Sequence, residues 1–387
     1  MKSSYEKLGK YIRPVEIRNR NLEIDNLIGL SIQKKFIPSI SNTIGTDMST
    51  YRILNTEQFA YCPVTSRNGE KITVALYQEK ETAIISQAYD IFEITDKNEL
   101  LPEYLMMWFR RPEFDRYARF MSHGSVRELL GWEELCEVEL PIPSPDKQRE
   151  LVKEYNTILQ RIDLNNGLIQ KLEETAQAIY KQWFVDSEFP NENGEPYKSA
   201  GGEMVESELG DIPKGWRVES YKVVADFKTG RLNSNAAVEN GTYPFFTCST
   251  ETFKTNTYSF DTEAVILAGN NASAIYPLKY FVGKFDAYQR TYIVTSKCET
   301  VSNKQIYFSL MAELENFKGI SSGTATKFLT MGILNNLQIV VPDKNTFQKF
   351  DKFIGVLFAK LQIFKKEHGL VSELRDTILS KLATVRD

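Results

Sequence analysis

The sequence predicts an α+β protein, with two homologous mixed α/β domains separated by two long helices that form a pseudo-twofold antiparallel coiled coil. Three observations carry that prediction. The chain is written twice, with a period of about 199 residues. Each copy runs into a long series of apolar residues at helical spacing. A stretch rich in Asn, Gly, Glu, Ser and Pro divides the copies.

The repeat is read most directly where residues 121–143, MSHGSVRELLGWEELCEVELPIP, meet residues 320–342, ISSGTATKFLTMGILNNLQIVVP. Gly124 falls on Gly323, Ser125 on Thr324, Leu130 on Leu329, Leu135 on Leu334 and Pro143 on Pro342. Each copy has a Gly-Ser/Thr turn, a short amphipathic helix, a short apolar strand and a proline. A solenoid would repeat every ~20–50 residues, so this longer period marks duplicated domain-plus-helix units.

Within the globular units the pattern is weaker. Thr73–Tyr77, Thr82–Ile85, Asp90–Ile94, Ala264–Leu267 and Thr291–Val294 are β-rich and separated by turn residues. Leu101–Phe109 and Lys304–Leu314 read as helices. The long helices are far clearer. Leu151, Tyr155, Ile158, Ile162, Asn165, Ile169, Leu172, Ala176, Ile179 and Trp183 step by alternating fours and threes. Phe347, Phe350, Ile354, Leu357, Leu361, Phe364, His368 and Val371 do the same. That period belongs to a coiled-coil seam. The seams hold Asn165 and His368 near their middles, where the two either meet and fix register or each point partly to solvent. Residues 186–210, DSEFPNENGEPYKSAGGEMVESELG, have linker composition. The expected order is a first globular domain over 1–145, a helix over 146–185, a linker over 186–210, a second globular domain over 211–344 and a helix over 345–387.

Composition sets the class. At 387 residues, with 42% hydrophobic and 25% charged residues, the chain is long enough for several globular domains. No apolar run reaches the ~20 residues that span a bilayer, and the first residues lack a signal-peptide core, so a cytoplasmic protein without membrane contact is expected. Cys62, Cys136, Cys248 and Cys298 are dispersed and suggest neither a zinc site nor a disulfide framework. The net charge of −4 counts against a generally basic surface, although a local basic face is compatible with it. No GxxxxGK phosphate loop and no GxGxxG after a strand are present, and neither is the Asn/Asp-Pro-Pro-aromatic string of an amino-methyltransferase. Asp146 and Asp343 each lie in a Pro-Asp-Lys string. Both strings fall where a strand gives way to a helix, which suits Asp as a helix-end residue better than as a nuclease ligand. With only His123 and His368 in the chain, histidine chemistry has little to draw on.

In this order, ELGDIPKGWRVESYKVVADFKTGR at 208–231, GKFDAYQRTYIV at 283–294, PSPDKQRELV at 143–152 and the link GEPYKSAGGEMVESELGDIPKGW resemble the specificity subunit of type I restriction–modification systems. The resemblance covers nearly the whole chain. It departs at the start, where KLGKYIRPVEIRNRN lacks the Ile-Pro-x-Gly-Trp opening seen at 212–216. It implies a non-catalytic protein whose two target-recognition domains each read half of a split, asymmetric site on double-stranded DNA. It also implies two methyltransferase subunits carrying S-adenosylmethionine and two motor-nuclease restriction subunits using ATP and Mg, with no cofactor in this chain. A helix of the length of Leu151–Trp183 spans roughly 50 Å at ~1.5 Å per residue. That is about 15 base pairs of DNA, room for two short half-sites and a gap.

Residues that would touch DNA follow from chemistry. Phosphate contacts call for cations, hydroxyls and small-residue turns, which points to Ser125 and Arg127 in one half and Thr324, Thr326 and Lys327 in the other. Base reading calls for Arg, Asn or Gln on loops, which points to Asn270, Asn271, Ser273, Gln289 and Arg290. Arg231, closing the opening string, joins them. In the first half the candidates are Lys34, Lys35, Arg67 and Lys71. Each could equally be a solvated surface residue. Two other functions fit parts of the pattern: a two-headed coiled-coil scaffold that reads no DNA, and a nuclease built near Asp146 or Asp343.

Overall fold

A computed structural model describes residues 5–39, 45–65, 71–122, 128–271, 274–321 and 327–385. Packing divides the chain into two compact units, residues 1–166 with 365–387, and residues 167–364. The division falls inside the long helices and not at their ends, so each unit comprises one globular domain and half of each helix.

The first unit is built on an antiparallel sheet of β1 (Ile12–Val15), β2 (Phe59–Tyr61), β3 (Val74–Leu76) and β4 (Asp90–Ile94), in the order β1-β4-β2-β3. Phe59 lies directly opposite Phe92 across the ladder, and their rings stack at 4.8 Å. Helices α1 (Pro102–Phe109) and α2 (Pro112–Met121) follow, each opened by a proline whose missing N–H costs nothing in the first turn. Seven of the eight α1 residues are buried, which makes it the core helix of the unit.

In the second unit β5 (Ala225–Thr229), β6 (Tyr243–Phe246), β7 (Thr252–Thr255), β8 (Phe260–Ala268), β9 (Leu278–Ala287) and β10 (Thr291–Ser296) form a sheet in the order β5-β10-β8-β9-β6-β7. Only the β6–β9 pair is parallel. The long β8–β9 ladder runs from Phe260 opposite Phe285 to Leu267 opposite Leu278, and helix α4 (Asn303–Ile320) packs against it.

The predicted duplication is present in three dimensions. Short helices Trp132–Cys136 and Met331–Asn336 begin 199 residues apart. Each leads into a strand, Glu139–Pro141 or Gln338–Val341, that pairs with a strand near the start of its own globular domain, Tyr5–Lys7 or Arg217–Ser220. The first unit therefore keeps this closure although it lacks the Ile-Pro-x-Gly-Trp opening.

The long helices, α3 (Pro145–Tyr180, continued by a π turn over Lys181–Val185) and α5 (Lys344–Lys381), pack together in each unit. In the first, the opening half of α3 meets the closing half of α5: Leu151, Val152, Tyr155 and Leu159 share a core with Ile378, Leu379 and Leu382, and Arg161 bonds Glu367 at 2.5 Å. In the second, Ile169, Leu172, Ala176 and Trp183 pack with Phe350, Ile354, Leu357 and Leu361. Each pairing is antiparallel; in the second unit it follows the seams read from the sequence, and in the first it continues past Val371 through Ile378, Leu379 and Leu382.

The polar seam residues depart from both alternatives, since they do not bond each other and Asn165 does not point to solvent. Asn165 is fully buried, with neither amide atom hydrogen-bonded, and His368 Nδ1 is buried and unbonded as well. No Asn165–His368 hydrogen bond forms, so register rests on the apolar steps and on the Arg161–Glu367 ion pair.

Candidate nucleic-acid interface

The second unit gathers most of its candidates at one end of its sheet. β8 ends at Ala268, and Gly269 donates its N–H to Arg290 O at 2.8 Å. A Cβ on Gly269 would stand 2.5 Å from that carbonyl, so only glycine permits the approach. The next residues pair antiparallel with the segment after the Gly-Thr turn, Asn270 opposite Phe328 and Asn271 opposite Lys327. Tyr288–Thr291 is a tight turn closed by Thr291 N–H donating to Tyr288 O, and it carries Gln289 and Arg290 outward, both exposed. Gln289 N–H donates to Leu232 O, which brings the exposed Arg231 beside the same turn. The close Gly230–Ala287 approach, where a Cβ would meet Ala287 O at 1.9 Å, fixes that strand crossing.

Side chains reinforce the cluster. The Arg290 guanidinium lies over the Phe328 ring at 5.3 Å, a cation–π placement that holds a long cation in one orientation. Cys248 Sγ lies 2.9 Å from Asn270 Oδ1 and 3.3 Å from Arg290 O. Beside it, Lys279 Nζ donates to Ser249 O, Glu251 O and Thr252 Oγ1, which pins the loop that carries Cys248. Burial pulls the Lys279 ammonium below its usual pKa, so it serves as a structural clamp. Arg231, Asn270, Asn271, Gln289, Arg290 and Lys327 thus share one region. Sequence reasoning missed Cys248, Gly269 and Phe328: the last two stand next to Asn270 and Lys327 in the chain, whereas Cys248 reaches Asn270 and Arg290 only through the fold.

The first unit has the same plan with different chemistry. Val64 bridges Leu129, and Thr65 donates through its N–H and its Oγ1 to Glu128 O. Where one unit offers Asn270, Asn271, Lys327 and Phe328, the other therefore offers Val64, Thr65, Glu128 and Leu129. Lys35 and Lys71 are exposed.

Lys34 is a correction. It is only 6% exposed, pairs with Asp115 at 2.7 Å and donates to Phe109 O at the end of α1. Desolvation, opposed by Asp115, lowers its pKa. Its backbone sits at φ +58° in the Ser31–Lys35 turn, which aims the side chain inward. It ties that turn to α1 and α2 and has no free face for a phosphate. Arg67, Ser125, Arg127, Ser273, Thr324 and Thr326 lie outside the described residues, as does His123.

The two aspartates stand at helix starts. Asp343 caps α5: Oδ1 accepts from the N–H groups of Asn345 and Thr346, and Oδ2 from Thr346 Oγ1 and Trp216 Nε1. Asp146 lies in the first turn of α3 and pairs with Arg149 at 2.6 Å. No described helix is long and apolar enough to cross a membrane.

Residues 213–368 match the type I restriction modification DNA specificity domain. The chain is 29% identical to the Escherichia coli type I restriction enzyme EcoDI specificity subunit, over 40% of this chain and about a third (34%) of that protein's length. A longer match, 22% identical over 91% of each chain, joins it to the HindI specificity subunit of Haemophilus influenzae. The MjaIX specificity subunit of Methanocaldococcus jannaschii is 24% identical over 75% of this chain and 70% of its own. In fold, the chain is similar to the crystal structure of the type I restriction–modification S subunit from M. genitalium, with a TM-score of 0.63, 14% identity and 99% coverage of both chains.

Proposed function

We infer from membership of the type I restriction–modification specificity family, to which this chain belongs through its 213–368 domain, that each globular domain reads one half of a bipartite, asymmetric DNA site. The observation that carries this reading is the pair of topologically equivalent edges with unlike side chains, Asn270–Asn271 with Lys327–Phe328 against Val64–Thr65 with Glu128–Leu129. Equivalent placement lets both domains approach a duplex in the same way. Different donors and acceptors make them select different bases, because base edges are told apart by their hydrogen-bonding patterns. A symmetric dimer would read a palindrome; two unlike domains in one chain read a split site without symmetry.

On this reading the chain does no chemistry and holds no cofactor. It directs two methyltransferase subunits, which supply S-adenosylmethionine, and two restriction subunits, which supply ATP- and Mg-dependent work, to the site it selects. The acidic net charge is consistent with a subunit whose partners complete the phosphate clamp.

Arg290 offers the direct test, since it is exposed, held over Phe328 and outside the core. In the complex with methyltransferase, Arg290→Ala is expected to weaken base-by-base DNA protection over one half-site and leave the other unchanged. Equal losses over both halves would contradict modular reading.

A further inference from the structure

Cys248 does not belong to any function considered so far, yet its thiol sits between the two best-placed base-reading residues. Sγ is 2.9 Å from Asn270 Oδ1, 3.3 Å from Arg290 O and 3.9 Å from Thr291 Oγ1. The thiol is the donor to Asn270, so the amide carbonyl is turned toward the protein and the NH2 group away from it. Asn270 is itself held by its backbone pairing with Phe328, and that same ring carries the Arg290 guanidinium.

This orientation has a consequence for base choice. An asparagine that reads adenine uses its carbonyl and its NH2 together, accepting from N6 and donating to N7. With the carbonyl directed at a thiol, Asn270 offers donors. Arginine offers donors only. Guanine is the base whose major-groove edge is made of acceptors, O6 and N7.

We propose that Cys248 is a positioning residue that turns the Asn270 carbonyl inward, so that Asn270 and Arg290 present hydrogen-bond donors and the second domain selects guanine at the position they contact. The proposal rests on the DNA-reading function inferred above and names the base class it recognises.

The test uses the full chain in complex with its methyltransferase, and duplexes carrying each of the four base pairs at each position of the half-site that Arg290→Ala affects. The position where Asn270→Ala changes discrimination is expected to require guanine. Cys248→Ala should reduce the preference for guanine over adenine there by about tenfold, the scale of one misdirected hydrogen bond. Cys248→Ser, which keeps a donor, should stay within about twofold of the original. Asn270→Asp, which replaces donors by acceptors, should abolish the guanine preference whether or not Cys248→Ala folds well. The other half-site should be unchanged in every variant. A requirement for adenine at that position, or an unchanged preference in Cys248→Ala together with Asn270→Asp, would overturn the proposal. Absence of any sequence preference in the unaltered complex would instead overturn the DNA-reading function itself.

Discussion

At the scale of single residues, burial decides which polar side chains hold the fold and which are available to a ligand. Lys34 and Lys35 are neighbours in one turn, yet the first is enclosed against Asp115 and Phe109 while the second is exposed. Sequence could not separate them, because Asp115 and Phe109 are distant in the chain and only the folded turn brings Lys34 to them. Asn165 shows the opposite balance. A buried amide without hydrogen-bond partners forfeits its hydration, at a cost of about 1–3 kcal/mol. Asn165→Leu would replace that amide by a side chain suited to the seam. Denaturant unfolding is expected to show it more stable by about 1–2 kcal/mol. A loss of stability would mean that the Asn165 amide contributes a specific interaction to the helix pair.

At the scale of elements, the helices were the most legible part of the chain and the loops the least. The 3.5-residue spacing defines α3 and α5 because each helix buries one continuous stripe. The strands expected at Thr73–Tyr77, Asp90–Ile94 and Thr291–Val294 are present as β3, β4 and β10, since short β-branched and aromatic runs between turns have few alternatives. The joining of Asn270–Asn271 to Lys327–Phe328 was not legible, because it is a two-residue pairing between segments separated by more than fifty residues. Helix starts were readable through their aspartates, and Asp343 makes this quantitative. Burial alone would raise its pKa. Hydrogen bonds from the Thr346 hydroxyl and N–H, the Trp216 indole and the Asn345 N–H outweigh that and hold it below the usual carboxylate range. A carboxylate with a depressed folded-state pKa contributes stability that is present at neutral pH and is lost as pH falls through that value. Asp343→Ala should therefore cost about 1–2 kcal/mol near pH 7, the usual worth of an N-cap. The difference from the original chain should shrink steadily below pH 4 in acid-titrated unfolding curves. A difference independent of pH would assign the effect to packing around Trp216 and not to the charged cap.

At the scale of the whole molecule, the sequence repeat and the fold describe the same design. One chain contains two copies of a sheet-and-helix domain, each closed by a strand pairing between its beginning and its end. Each compact unit also takes in half of each long helix. What duplication conserved is the framework. What diverged is the chemistry at the equivalent edges, polar and cationic in one unit, apolar and acidic in the other. On the proposed function, this divergence is what would let the two domains read different half-sites. The most direct measurement is single-molecule mapping of methylated bases in cells that carry the chain with its methyltransferase, compared with cells from which the chain alone is deleted. The expected result is a split, asymmetric motif with a modified adenine in each half that disappears on deletion. A motif that persists without the chain, or the absence of any motif with it, would contradict the account.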